Sequence, residues 1–187
     1  MSRYLRYFVP GGMYFFTVVT YERRPILTTD LGRACLHNAL ETIRNRWPFD
    51  LTAIVLLPDH LHTIWTMPPG DEGYPRRWRR IKEEFTEAFL QGGGKEGAVS
   101  ASRRKRNERG IWQRRYWEHT LDHEGDFERH MDYIHYNAVK HGLVKCPRDW
   151  PYSSFHRLVK ERVYPENWGC VENGPLEFSD LAETAME

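Results

Sequence analysis

Residues 51–57 (LTAIVLL) and 60–67 (HLHTIWTM) are two apolar, β-prone runs separated only by Pro58-Asp59, and this pair restricts the fold more than any other feature of the chain. Pro-Asp is turn chemistry: proline presets its own φ and the aspartate side chain bonds to nearby backbone. Two strands joined so tightly are neighbours in one sheet. Both runs carry apolar side chains at odd and even positions, so each face of that sheet has to be covered.

The rest of the chain supplies the covers. Residues 14–20 (YFFTVVT) read as a first strand after the Gly11-Gly12 turn. Thr28-Thr29-Asp30 is a helix-start signal leading into residues 31–47, where Leu31, Cys35, Ala39 and Ile43 recur at helical spacing until Pro48 stops them. A second helix is expected over 77–91, with Trp78, Ile81, Phe85 and Phe89 one turn apart and three glycines after it. Residues 92–110 read as a mobile basic loop, 116–121 as a fourth strand, and 122–141 as a third helix ending at Gly142. Strand-helix-strand-strand-helix-strand is the ferredoxin-like pattern. The expected fold is therefore α+β, a ferredoxin-like βαββαβ sandwich with an added C-terminal helix. That domain is expected over 1–159, and 160–187 as an acidic irregular tail.

A net charge of +1 hides an asymmetry. Residues 74–117 hold 13 Lys/Arg against 5 Asp/Glu, and residues 160–187 hold 2 against 7. The first stretch can form a phosphate-binding face, and the tail can mask it. The three cysteines, Cys35, Cys146 and Cys170, are odd in number and widely spaced, which favours reduced thiols over a disulfide framework or a zinc ribbon. No run is long enough to span a bilayer and no signal-peptide pattern opens the chain, so a soluble cytoplasmic protein is expected.

Residues two apart on a strand share a side, so His60 and His62 can converge on one ion. By itself H-x-H is a weak signal, and histidines in a strand often serve packing. Residues four apart on a helix share a face, so Tyr133 and Asn137 project together. A mid-helix asparagine needs an explanation: a helix end, a hydrogen bond or a ligand. Pattern alone leaves Tyr136 open as an alternative to Tyr133, which is preferred for the face it shares with Asn137. Asp59 has a local role in the turn. His119, His130 and His135 are further histidines near the same region.

Four segments carry a resemblance: Pro58-Asp-His-Leu-His62, IWQRRYWEHT over 111–120, YIHYNAVKHGLV over 133–144, and DWPYSSFHR over 149–157. Together they resemble the REP-associated tyrosine transposases, members of the HUH single-strand nucleases and relatives of the single-tyrosine insertion-sequence transposases. Ala138 departs from the family, which usually has proline after the asparagine. The resemblance implies that His60, His62 and Asn137 hold Mg²⁺ or Mn²⁺, and that Tyr133 attacks phosphorus to give a 5′-phosphotyrosine with no nucleotide cofactor. It also implies a single-stranded or hairpin DNA partner of the repetitive extragenic palindrome type and no membrane. Relatives in the insertion-sequence branch exchange the tyrosine helix between subunits; a monomer is favoured here over a dimer.

Phosphate contacts are expected from Arg3 and Arg6, from Arg76, Arg77, Arg79, Arg80 and Lys82, from Arg103, Arg104, Lys105 and Arg106, and from Arg114 and Arg115. Residues 149–157 are expected to pack on the core. The competing reading is a non-catalytic single-stranded nucleic-acid-binding module on the same fold, which would need aromatic side chains displayed on an open sheet.

Overall fold

The computed structural model describes residues 8–106, 108–178 and 181. Four strands form one sheet: β1 (Met13–Val19), β2 (Asp50–Leu56), β3 (His60–Thr66) and β4 (Trp117–Leu121). Their order is β2-β3-β1-β4, with every neighbouring pair antiparallel. Helix α1 (Asp30–Arg46) joins β1 to β2 and α2 (Tyr74–Gln91) joins β3 to β4. This is the expected ferredoxin-like arrangement, in which each helix crosses over one strand. Helix α4 (Glu124–Lys140) follows β4, and α5 (Phe155–Lys160) follows α4.

The alternation of side chains explains the layers. On β1, Tyr14, Phe16 and Val18 enter a core shared with α1 and α2, built around Trp65, Trp78 and Phe85. The intervening Phe15 enters a second core with Val55, Ile64, Met131 and Ile134, under α4. Both faces of the sheet are thus covered, as the apolar strands require. Pro58 and Asp59 form the turn, closed by Leu57 N–H donating to His60 C=O at 2.8 Å. Thr29 caps α1, its hydroxyl accepting from Gly32 N–H at 3.0 Å.

Several expectations are revised. Helix α2 begins at Tyr74, one turn before residue 77, because Pro75 sits in its first turn, where a missing N–H costs nothing. Residues 92–110 contain a short helix, α3 (Ala101–Lys105), whose Ser100 cap the basic composition obscured. The loop's neck is closed by Gly97 N–H on Gly110 C=O at 3.0 Å.

The reduced-thiol expectation fails for two cysteines. Cys146 and Cys170 form a disulfide, with Cα atoms 4.1 Å apart. A separation of 24 residues carries no information about proximity. The chain turns back so that Val171 N–H donates to Lys145 C=O at 2.9 Å. Cys35 is the free thiol among the described residues, and it is buried.

Among the described residues after α5, a 3-10 turn spans Val171–Asn173, and rings from this stretch are part of the second core. Tyr164, nearly buried, donates to Asp132 Oδ1 at 2.7 Å, and Trp168 lies against the Tyr164 ring at 4.5 Å. Residues 149–157 pack on the core as expected: Trp150 Nε1 donates to Leu56 C=O, and Phe155 is fully buried. Among the described residues no helix is long and apolar enough to cross a membrane.

Candidate active site

His60 and His62 stand on the α4 side of β3, their ring centroids 5.0 Å apart. Both are buried. In each ring Nδ1 is already engaged. His60 Nδ1 lies 2.7 Å from Asp59 Oδ1, and His62 Nδ1 lies 2.9 Å from Thr17 Oγ1, the residue paired with it across β1. Such partners fix the ring planes, and the Asp59 carboxylate, which can only accept, draws the His60 proton to Nδ1; with a proton on Nδ1, Nε2 carries the lone pair a metal would take.

Asp59 thus does more than turn the chain. Its other oxygen accepts from Arg23 at 3.2 Å, and Thr20 donates to its backbone carbonyl. Burial pushes the Asp59 carboxyl up, but His60 and Arg23 together outweigh it and hold the group below the ordinary carboxylate range. It remains an anion against His60.

Helix α4 presents the opposite wall. Tyr133 is buried, with its ring 5.3 Å from that of His62 and edge-on to Phe15. His141, which caps the C-terminus of α4, has its ring 5.1 Å from His60. Asn137 lies one turn from each of these, on the same helical face and fully buried. Strand and helix therefore converge, bringing Tyr133 to His62 and His141 to His60, and Asn137 lies between those two contacts along the helix. The donor set of two oriented imidazoles and a buried carboxamide suits a divalent ion that accepts nitrogen as well as oxygen.

Lys140, Thr17, His141 and Phe178 were not anticipated. Lys140 Nζ donates to the Tyr133 hydroxyl at 3.2 Å and sits 4.8 Å from its ring centre. The seven-residue spacing, two helical turns, was a usable signal for Lys140. The four-residue spacing from Asn137 was one for His141. Phe178 meets Tyr133 edge-on at 5.7 Å from a distant segment, and nothing local in sequence announces that contact. Tyr136 shares the Phe178 contact and packs toward Trp168.

Of the other histidines, His135 is structural. Its Nδ1 lies 2.7 Å from Met131 C=O and its Nε2 2.8 Å from Ser154 Oγ, and burial pushes it down to about 4. His119 and His130 lie beyond Phe15, gathered around Asp126.

The basic residues divide. Arg76, Arg79, Arg80, Arg104, Lys105, Arg106, Arg114 and Arg115 are exposed. Arg103 lies over the Tyr21 ring. Lys82 donates to Gln113 C=O beside Trp112 and Tyr116, in a groove of about 800 Å³, where burial pushes its ammonium down to about 7. Arg77 departs from its expected role. It is 1% exposed and clamps Asp71 and the Trp47 and Pro48 carbonyls. Arg3 and Arg6 lie outside the described residues.

Comparison with known proteins gives a consistent picture. The family model described as "Transposase IS200 like" matches residues 9–137. A REP-associated tyrosine transposase of Escherichia coli is 42% identical over 168 residues, covering 90% of this chain and 91% of the relative. A Haemophilus influenzae protein with the same family designation is 43% identical over 169 residues, covering 90% and 94%. A solved REP-associated tyrosine transposase bound to a REP hairpin superposes with a TM-score of 0.78 at 39% identity, covering 96% of each chain.

Proposed function

The chain belongs to the IS200-like transposase family and groups with its REP-associated tyrosine transposases, and from that premise we propose that it cleaves and rejoins single-stranded DNA beside a hairpin. The observation that carries the proposal is the 5.3 Å approach of the Tyr133 and His62 rings within one chain.

The Tyr133 oxygen attacks phosphorus as its proton passes to solvent, and the bond to the DNA 3′-oxygen breaks; that oxygen takes up a proton from solvent and leaves as a 3′-hydroxyl. The product is a 5′-phosphotyrosine that retains the phosphodiester energy. A second 3′-hydroxyl reverses the step, so no nucleotide is consumed. An ordinary phenol titrates near ~10 and needs help at neutral pH. Lys140 is placed to give it, since its ammonium already donates to that oxygen and would neutralise the phenolate. His60 and His62 through Nε2, and Asn137 through its side-chain oxygen, would hold a divalent ion that neutralises charge on the scissile phosphate. Imidazole ligands favour Mn²⁺ over Mg²⁺ in that place.

The exposed arginines of α2, α3 and residues 114–115 would grip the phosphate backbone without reading sequence. A tyrosine and a histidine pair meeting in one chain supports cleavage in cis by a monomer. A DNA substrate supports a cytoplasmic site of action. The pure binding module is disfavoured because both sheet faces are covered, leaving no open face for bases to stack on.

The test is incubation with end-labelled REP-type hairpin DNA and Mn²⁺, followed by a denaturing gel. A covalent adduct that disappears in Tyr133→Phe supports the assignment. An adduct that survives in Tyr133→Phe and disappears in Tyr136→Phe moves the nucleophile. Tight hairpin binding with no adduct under any divalent ion returns the binding-module reading.

A further inference from the structure

A second cluster of metal-ligating groups lies on the same side of the sheet, separated from the His60/His62 pair by Phe15. His119 comes from β4, and Asp126 and His130 come from the first turns of α4, four residues apart on one face. One ligand atom from each falls within 4.8 Å of the others. His119 Nε2 lies 2.8 Å from Asp126 Oδ2, and His130 Nδ1 lies 3.0 Å from Asp126 Oδ1. The imidazoles stack, with centroids 4.8 Å apart and planes at 17°.

We propose that His119, Asp126 and His130 form a second divalent-cation site, for an ion of the zinc class, which ties the start of α4 to β4. Two imidazoles and one carboxylate are the ligand set of open, three-residue zinc sites. Metal–ligand bonds of about 2.0–2.2 Å in a tetrahedron put the ligand atoms roughly 3.3–3.5 Å apart. The two imidazole–carboxylate contacts, at 2.8 and 3.0 Å, are shorter than that spacing and open to it by side-chain rotation, with His130 Nδ1 exchanging its 2.8 Å contact to the Asp126 backbone carbonyl for the ion. His130 is 2% exposed, with its ring held against Phe15, while the His119 side chain is 39% exposed. The site therefore has one rigid wall and one side open to solvent, as loading from solution requires. His130 is one turn from Tyr133, so an ion here fixes the register of the helix that carries the nucleophile. The site does not depend on the chemistry proposed for Tyr133.

The test uses the full chain stripped of metal with a chelator and titrated with Co²⁺ alone, followed by calorimetry and by visible d–d absorption. Wild type is expected to show two classes of site. His119→Ala and Asp126→Asn are expected to lose one class, or to weaken it by at least ~10-fold, and to keep the other. His60→Ala with His62→Ala should lose the complementary class. His119 is part-exposed and Asp126→Asn is isosteric, so both variants should fold, and near-UV circular dichroism is the check. Thermal stabilisation by Zn²⁺ should shrink in both. If His119→Ala and Asp126→Asn match wild type in number of sites, affinity and absorption, the cluster is a hydrogen-bond network alone and the proposal is overturned.

Discussion

Replacing Arg77 separates a structural arginine from the exposed neighbours proposed to contact DNA. The guanidinium donates through Nε to Trp47 C=O at 3.0 Å and through Nη2 to Pro48 C=O at 2.9 Å. It also grips Asp71 with two bonds, at 3.1 and 2.6 Å. Arg77→Met preserves the stem and removes all four donations. The two carbonyls at the end of α1 then lose their donor inside the protein. Breaking a buried ion pair costs about 3–5 kcal/mol. Asp71 is 31% exposed, so water satisfies part of it, and the lower end, about 3 kcal/mol, is expected. The Arg77 bond holds the Asp71 carboxyl below its ordinary range, so this contribution is present at neutral pH and lost as pH falls through the folded value. Arg79 is the control: its side chain is 74% exposed and, among the described residues, paired with Glu83, so Arg79→Met should change stability by less than ~0.5 kcal/mol. Urea unfolding reads the stability. Hairpin binding across a salt series reads the phosphate contacts, each contributing about 0.7 to 0.9 to the slope. Arg77→Met should leave that slope alone and Arg79→Met should reduce it. An Arg77→Met protein as stable as wild type but with a reduced slope would refute the reasoning.

Lys140→Met should slow single-turnover adduct formation by roughly 10-fold, because a charge-assisted bond to the phenol is lost, while hairpin affinity changes little; an effect on affinity alone would remove Lys140 from the chemistry. His135 is neutral and buried in the fold, so the unfolded chain takes up its proton at higher pH. Stability should be complete above 6.5 and should fall toward a folded value of about 4, by up to ~3 kcal/mol. His135→Gln should flatten that part of a pH series of urea melts. Gly142 ends α4 at φ +67° with open space where a Cβ would go. Gly142→Ala should therefore cost only backbone strain, about 1–2 kcal/mol by thermal unfolding, and a larger loss would mean that the helix end contributes something else.

Local chemistry determined much of this protein before any coordinates. Short apolar, β-prone runs, helical spacing of apolar residues, the Pro58-Asp59 turn, the Thr29 cap and the Gly142 stop define the strands and helices, since each acts within a few residues. The H-x-H and Y-x-x-x-N spacings put their side chains on common sides for the same reason. Other features needed the folded chain. Arg77 sits among three other arginines indistinguishable from it in sequence, and only the packing of α2 against the end of α1 buries it. The disulfide, Phe178 against Tyr133, and the meeting of His119 with Asp126 and His130 join residues brought together by chain reversal, for which composition and spacing carry no signal. Tertiary structure also decided that His62 and Tyr133 face each other: periodicity assigns a residue to a side of its own element, whereas the packing of β3 against α4 assigns which side meets which.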